Sequence, residues 1–99
     1  MPIGKLTLEL SIAHAQSLKD RRQVVRSLKD ELRHAFNLSI AEANEGGTIW
    51  NQATIEVAVI SSSMQSLTQH LETIDKAAQR ICVSLGAEIA DSYAEILAD

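Results

Sequence analysis

The chain has 99 residues, enough for one small domain, and 45% of them are apolar. That fraction excludes a disordered chain, and a domain of this size buries about two-thirds of its unfolded surface. The net charge of −4 argues against non-specific nucleic-acid binding, but it is unevenly spread. Residues 17–36 hold six Lys/Arg against three acids, a net of +3, while the remainder holds three bases against ten acids, a net of −7. With only Phe36, Trp50 and Tyr93 as aromatics, aliphatic side chains must build the core. Cys82 is alone in an apolar pattern. It reads as a small buried hydrophobe, and it excludes a disulfide framework or a cysteine-rich metal site. Met1-Pro2-Ile3-Gly4-Lys5 does not read as a signal peptide, and no apolar run approaches membrane-spanning length. A reducing, cytoplasmic setting is the expectation.

Leu6, Leu8, Leu10 and Ile12 alternate with Lys5, Thr7, Glu9 and Ser11, the pattern of a strand with one buried face. The next segment, Ser17 to His34, predicts an amphipathic helix. Each residue turns about 100° around the helix axis, so Val25, Leu28, Leu32 and Ala35 form a core-facing stripe, with Val24 and Phe36 at its edges. Lys19, Arg22, Arg26, Lys29 and Arg33 fall together in a separate arc of about 80°. Ser17 followed by Asp20 suggests an N-cap with an acid in the first turn, a variant of the capping box.

Leu38 to Ala43 suits a second strand, and Asn44-Glu-Gly-Gly-Thr48 a turn. A third strand falls within Trp50 to Ser61, with Ile55, Val57 and Val59 on one face. Ser61-Ser-Ser63 offers helix caps. Leu67, Leu71, Ile74, Ala78, Ile81 and Leu85 space a second helix, and Gly86 is a natural stop after it. Residues 87–97 suit a last strand. The order is βαββαβ, which predicts an α+β ferredoxin-like domain over 1–99. Its four-stranded antiparallel sheet would carry two helices on one face and have the first and third strands at the centre.

The outward positions of the central strands are Thr7, Glu9, Ser11, Thr54, Glu56 and Ala58. They hold two carboxylates and no aromatic ring, which disfavours base stacking on the open sheet face. Acid–base catalysis by Glu9 and Glu56 would need a pocket and perturbed pKa values, which the sequence does not indicate. The loop Ala13-His14-Ala15-Gln16 lacks the glycines of an acylphosphatase-like anion loop. His14, His34 and His70 share no metal-ligand spacing, so neither a metal nor another cofactor is expected. Trp50 reads as a hairpin-packing residue, or as an interface anchor.

Several of these segments together resemble the YlxP-like proteins, a bacterial family of unknown function. They are Gly4 with Leu-Thr-Leu-Glu-Leu, Ser17-Leu-Lys-Asp-Arg-Arg22, Val24-Val25-Arg-Ser-Leu28, Phe36-Asn-Leu-Ser-Ile-Ala-Glu42, and Trp50 with Ala53. The resemblance covers nearly the whole chain and implies a ferredoxin-like domain. Members are often encoded near ribosome-maturation and translation-initiation factors, which implies a ribosome- or RNA-linked role. The family offers no established catalytic residues to carry over. Gln23 stands where a further base is common, and Trp50-Asn-Gln-Ala53 replaces Trp-Gln-Arg-Ala, so this chain has fewer bases than the pattern.

Three readings follow. The first is a non-enzymatic accessory factor that contacts RNA or a ribonucleoprotein through Lys19, Arg22, Arg26, Lys29 and Arg33. The second is a homodimeric interaction module built on the open sheet face, Trp50 and the last strand. The third is a small-molecule regulatory domain.

Overall fold

Alternation in the strands and a 3.6-residue period in the helices sort the apolar side chains onto one shared layer. The computed structural model, which describes residues 1–43 and 51–99, shows that layer as the interface between a sheet and two helices. The elements are β1 (Ile3–Ser11), α1 (Leu18–Ala35), β2 (Ser39–Ala43), β3 (Gln52–Ile60), α2 (Met64–Ser84) and β4 (Glu88–Ala98). The sheet order is β2-β3-β1-β4, and every neighbouring pair is antiparallel. The central strands are therefore β1 and β3, and the fold is ferredoxin-like, as expected. The expected turn at 44–48 and Trp50 lie outside the described residues.

Leu6, Leu8 and Leu10 of β1 and Ala53, Ile55, Val57 and Val59 of β3 form the buried floor. Register places Leu6 opposite Val57 and Leu8 opposite Ile55, so the alternating apolar positions of both strands share one face. Val25, Leu28 and Leu32 of α1 and Leu67, Leu71, Ile74 and Ala78 of α2 cover it. Cys82 is fully buried, and burial pushes its thiol up to about 11. Among the described residues, no helix is long and apolar enough to cross a membrane.

The helix ends follow their sequence signals. Ser17 caps α1 by accepting the Asp20 backbone N–H at 3.2 Å. Asp20 reaches back and accepts the Gln16 N–H at 3.0 Å, so the acid satisfies a donor just ahead of the cap. Ser63, the last of the three candidate serines, caps α2 through the Ser66 N–H. Gly86 follows the end of α2 with φ +77°, a left-handed conformation that costs a side-chain-bearing residue.

One core expectation fails. Ala35 is exposed. It is the last residue of α1, and the chain turns to an extended conformation at Phe36. Phe36 takes the place expected for Ala35, packing on the core edge with its ring 5.9 Å from the His70 ring.

Gly4 controls how closely α2 sits on the sheet. A Cβ at this position would lie 2.9 Å from Leu71 Cδ1 and 3.2 Å from both δ carbons of Leu67. A branched side chain would have to displace α2 or force its leucines off their rotamers. Gly4→Val should therefore destabilise by about 1–3 kcal/mol through overpacking. Gly86→Ala meets nothing within 4 Å and should cost about 1–2 kcal/mol through its backbone alone. Urea unfolding of the two variants would check both values. A Gly4→Val variant as stable as the parent would refute the close approach.

Candidate anion-binding face

The charged residues of α1 divide into two groups with different fates. Arg21 lies one turn before Val25 on the core side of the helix and is only 5% exposed. Glu42 occupies the β2 position opposite Ile55, so its side chain shares the helix-covered face with Ile40. The Arg21 guanidinium meets the Glu42 carboxylate through Nη2 and Oε2, with both side chains almost withdrawn from solvent. Arg21 Nε–H also donates to the Gln52 carbonyl at 2.8 Å. One side chain thus ties α1 to both β2 and β3. A buried charge needs such partners, and the planar guanidinium supplies donors in two directions.

With Arg21 held inward, the other cations lie outward. Lys19, Arg22, Arg26 and Arg33 are exposed and Lys29 is half-buried. The five expected residues are therefore brought together along one flank of α1. Arg33 closes its far end, donating from Nη2 to the Ile40 carbonyl at 3.3 Å. Its Nη1 also lies 3.8 Å from Asp30, an exposed pairing that contributes little. The contact to Ile40 sets the flank on the β2 side of α1, along one edge of the sheet. A shallow depression begins at Asp30, on the margin of this flank, and is lined by Glu31, His34 and Ala35 and by Ile81 of α2.

The open sheet face has the opposite character. Lys5 sits between Glu56 at 3.4 Å and Glu95 at 3.6 Å. Glu56 first, and then Glu95, raise the Lys5 ammonium above its usual 10.5. Glu9 accepts from the Thr54 hydroxyl at 3.1 Å. Glu9 and Glu56 are thus separately engaged, each facing a threonine across the β1–β3 ladder instead of one another. Tyr93, on β4, pairs with Thr7 and brings an aromatic ring beside the central strands. Sequence alternation on β4 was too diluted by alanines and acids to place it.

Two amides of the loop ahead of α1 are in use. The Ala15 N–H donates to the Ile12 carbonyl, and the Gln16 N–H goes to Asp20. The sequence reading found the basic flank but missed the Arg21–Glu42 pair. The signal was present, since Arg21 lies on the core-facing arc of the helical wheel and Glu42 has the parity of Ile40. Trp50, the expected interface anchor, lies outside the described residues. Among the described residues, no group of three or more His, Cys, Asp or Glu side chains could hold a metal ion.

The geometry defines a ferredoxin-like domain with a basic helix flank. Residues 3–93 match the family described as protein of unknown function DUF503, and the chain belongs to that family. The uncharacterized protein YlxP of Bacillus subtilis (strain 168) is 31% identical over 72 residues, covering 73% of this chain and 77% of the relative. The YlxP-like resemblance is thereby shown.

Solved structures agree on the fold. A de novo designed protein with a ferredoxin fold, LFR1 1, matches 100% of this chain and 88% of its own at TM-score 0.57 and 13% identity. A hydantoinase/carbamoylase family amidase from Burkholderia ambifaria matches at TM-score 0.54 and 14% identity, over 96% of this chain and 27% of its own. A C-terminal segment of the alpha subunit of aIF2 from Pyrococcus abyssi matches at TM-score 0.50 and 13% identity, over 100% of this chain and 52% of its own. The chain thus spans about half of that segment and about a quarter of the amidase. At these identities the likeness shows the fold alone.

Removing one partner of the Arg21–Glu42 pair would leave the other charge buried and uncompensated, a loss of about 3–5 kcal/mol. Arg21→Ala and Glu42→Ala should each destabilise by that amount, and Arg21→Met combined with Glu42→Leu should recover most of it. Urea denaturation checks this. Single-variant losses below about 1 kcal/mol, the range of an exposed pair, would show that the pair is solvated.

Proposed function

We propose that this protein is a non-catalytic binding domain that docks on structured RNA through the basic flank of α1. One observation carries the reading: five cations share one flank of a single helix, clear of the side that the buried Val25, Leu28 and Leu32 and the Arg21–Glu42 pair hold inward. A solvated helix surface usually mixes its charges, as α2 does with Glu72, Asp75, Lys76 and Arg80. The flank of α1 has only Asp30 at its margin, near Arg33.

The acidity elsewhere in the chain supports the same reading. Carboxylates on the open face repel phosphate, so an anionic polymer meets an attractive surface on one side of the domain. Exposed arginines suit phosphate because the guanidinium fork matches its oxygens. The spacing of Lys19, Arg22, Arg26, Lys29 and Arg33 along α1 covers nearly four helical turns, about 21 Å, long enough to meet several successive phosphates. Phosphate contacts position a protein on RNA without reading its sequence, so this flank would recognise shape and charge.

Affinity for ribosomal RNA or ribosomal particles should fall with salt at a log–log slope of roughly −0.7 to −0.9 per phosphate neutralised. Arg22→Glu combined with Arg26→Glu should weaken binding at least tenfold and reduce the slope by about 1 per arginine removed. Both side chains are exposed, so the fold should survive, and circular dichroism would confirm it. Co-sedimentation at low salt, followed by a salt titration, gives the readout. Undiminished binding by the double variant, or binding indifferent to salt, would overturn the proposal.

A further inference from the structure

The opposite edge of the sheet is built for a different contact. β4 is terminal in the strand order, so among the described residues the backbone groups on its outer side have no strand to pair with. It is 11 residues long, and only Ile89 and Ser92 are half-buried; the others are exposed. Tyr93, Ile96 and Leu97 are 53%, 46% and 52% exposed, large apolar groups standing on a free edge. Soluble proteins commonly blunt such an edge with lysine, proline, a bulge or a very short strand. β4 contains no lysine, arginine or proline. Its two register irregularities lie toward its ends, leaving Asp91–Ile96 paired with β1 without a break.

The strand's own charges have one sign, and the bases nearest in the fold are Lys5 on β1 and Lys76, one turn after Glu72 on α2. Glu88, Asp91 and Glu95 lie on β4 itself. On the helix side, β4 and α2 enclose a groove of about 350 Å³, lined by Leu6, Leu71 and Ile96 and by the carboxylates Glu72 and Asp75. Asp75 accepts from the Ser92 hydroxyl at 3.3 Å, which fixes one carboxylate at the groove wall. The nearest base on the open face is Lys5, already shared by Glu56 and Glu95.

We propose that the free edge of β4, over Asp91–Leu97, takes up an extended segment of another protein in which apolar residues alternate with Lys or Arg. Added as a fifth strand, the segment would satisfy the outward backbone groups of β4. Residues on one of its faces would reach the groove, where Ile96 offers an apolar contact and Glu72 and Asp75 offer ion pairs. Residues on the other face would meet Tyr93, Asp91, Glu95 and Leu97.

A second copy is the competing occupant, and its charges oppose it. Symmetric pairing of two β4 strands brings together three carboxylates from each copy and no base. With Tyr93 on the two-fold axis, Asp91 of one copy faces Glu95 of the other. Most of the chain's own bases lie on α1, and a helix cannot add to a sheet edge. This contact is independent of the RNA-binding flank, which lies along the other edge.

The test is a nitrogen-15 NMR titration of the full chain with a synthetic ten-residue peptide of alternating Val and Lys. A Val/Glu peptide and a Val/Lys peptide with a central proline serve as controls. Shift changes and amide-exchange protection should concentrate in residues 91–97, and both controls should fail. Asp91→Asn combined with Glu95→Gln should weaken the Val/Lys peptide roughly fivefold. Absence of binding, shifts centred elsewhere, or equal binding of either control would overturn the proposal. So would light scattering that shows the free chain to be a dimer with the β4 amides already protected.

Discussion

Arg21 leaves the core side of α1, pairs with Glu42 of β2 and donates to the Gln52 carbonyl of β3. The apolar stripe of Val25, Leu28 and Leu32 already turns one face of α1 to the sheet, because rotating the helix would bring those side chains into water. A guanidinium held by a carboxylate and a carbonyl adds a directional contact. The pair lies on the same side of α1 as the buried Val25, Leu28 and Leu32, so it reinforces the rotation that this stripe gives the helix and the heading of its other charges. Buried ion pairs are often no more stabilising than a well-packed apolar substitute. Here the pair is best understood as reinforcing orientation.

That orientation separates the protein's charges in space. The cations of α1 run along the β2 side, and Arg33 touches the Ile40 carbonyl. Across the sheet, β4 carries three carboxylates and no base, and Glu72 and Asp75 of α2 line the groove beside it. An overall charge of −4 hides this polarity. The two proposed contacts use the two edges separately: phosphate on the basic flank, a basic extended segment on the acidic strand edge. A domain arranged this way would bridge an RNA and a protein through its two edges.

Much of the fold was legible because its signals are local and periodic. The alternation at Leu6, Leu8 and Leu10, the stripes at Val25–Leu32 and Leu67–Ala78, and the stop at Gly86 all reappear in the structure. The five-residue basic arc was equally legible, since helical geometry alone assembles it. What escaped depended on tertiary partners. Arg21 had no role in the sequence pattern until β2 supplied Glu42. Ala35 looked buried until the chain turned and Phe36 covered that end of the helix. Tyr93 acquired a position only from its pairing with Thr7, because the sequence of β4 has too few apolar residues to declare a face.

Arginine side-chain NMR tests the division of the α1 cations most directly, through hydrogen exchange at each Nε–H. A donor buried against Glu42 and the Gln52 carbonyl should exchange slowly, while guanidinium groups in solvent exchange fast. The account predicts a sharp Arg21 Nε–H signal that persists at neutral pH, with those of Arg22 and Arg26 broadened away. An Arg21 signal exchanging as fast as that of Arg22 would contradict it. Arg21 would then be one more solvated cation of α1.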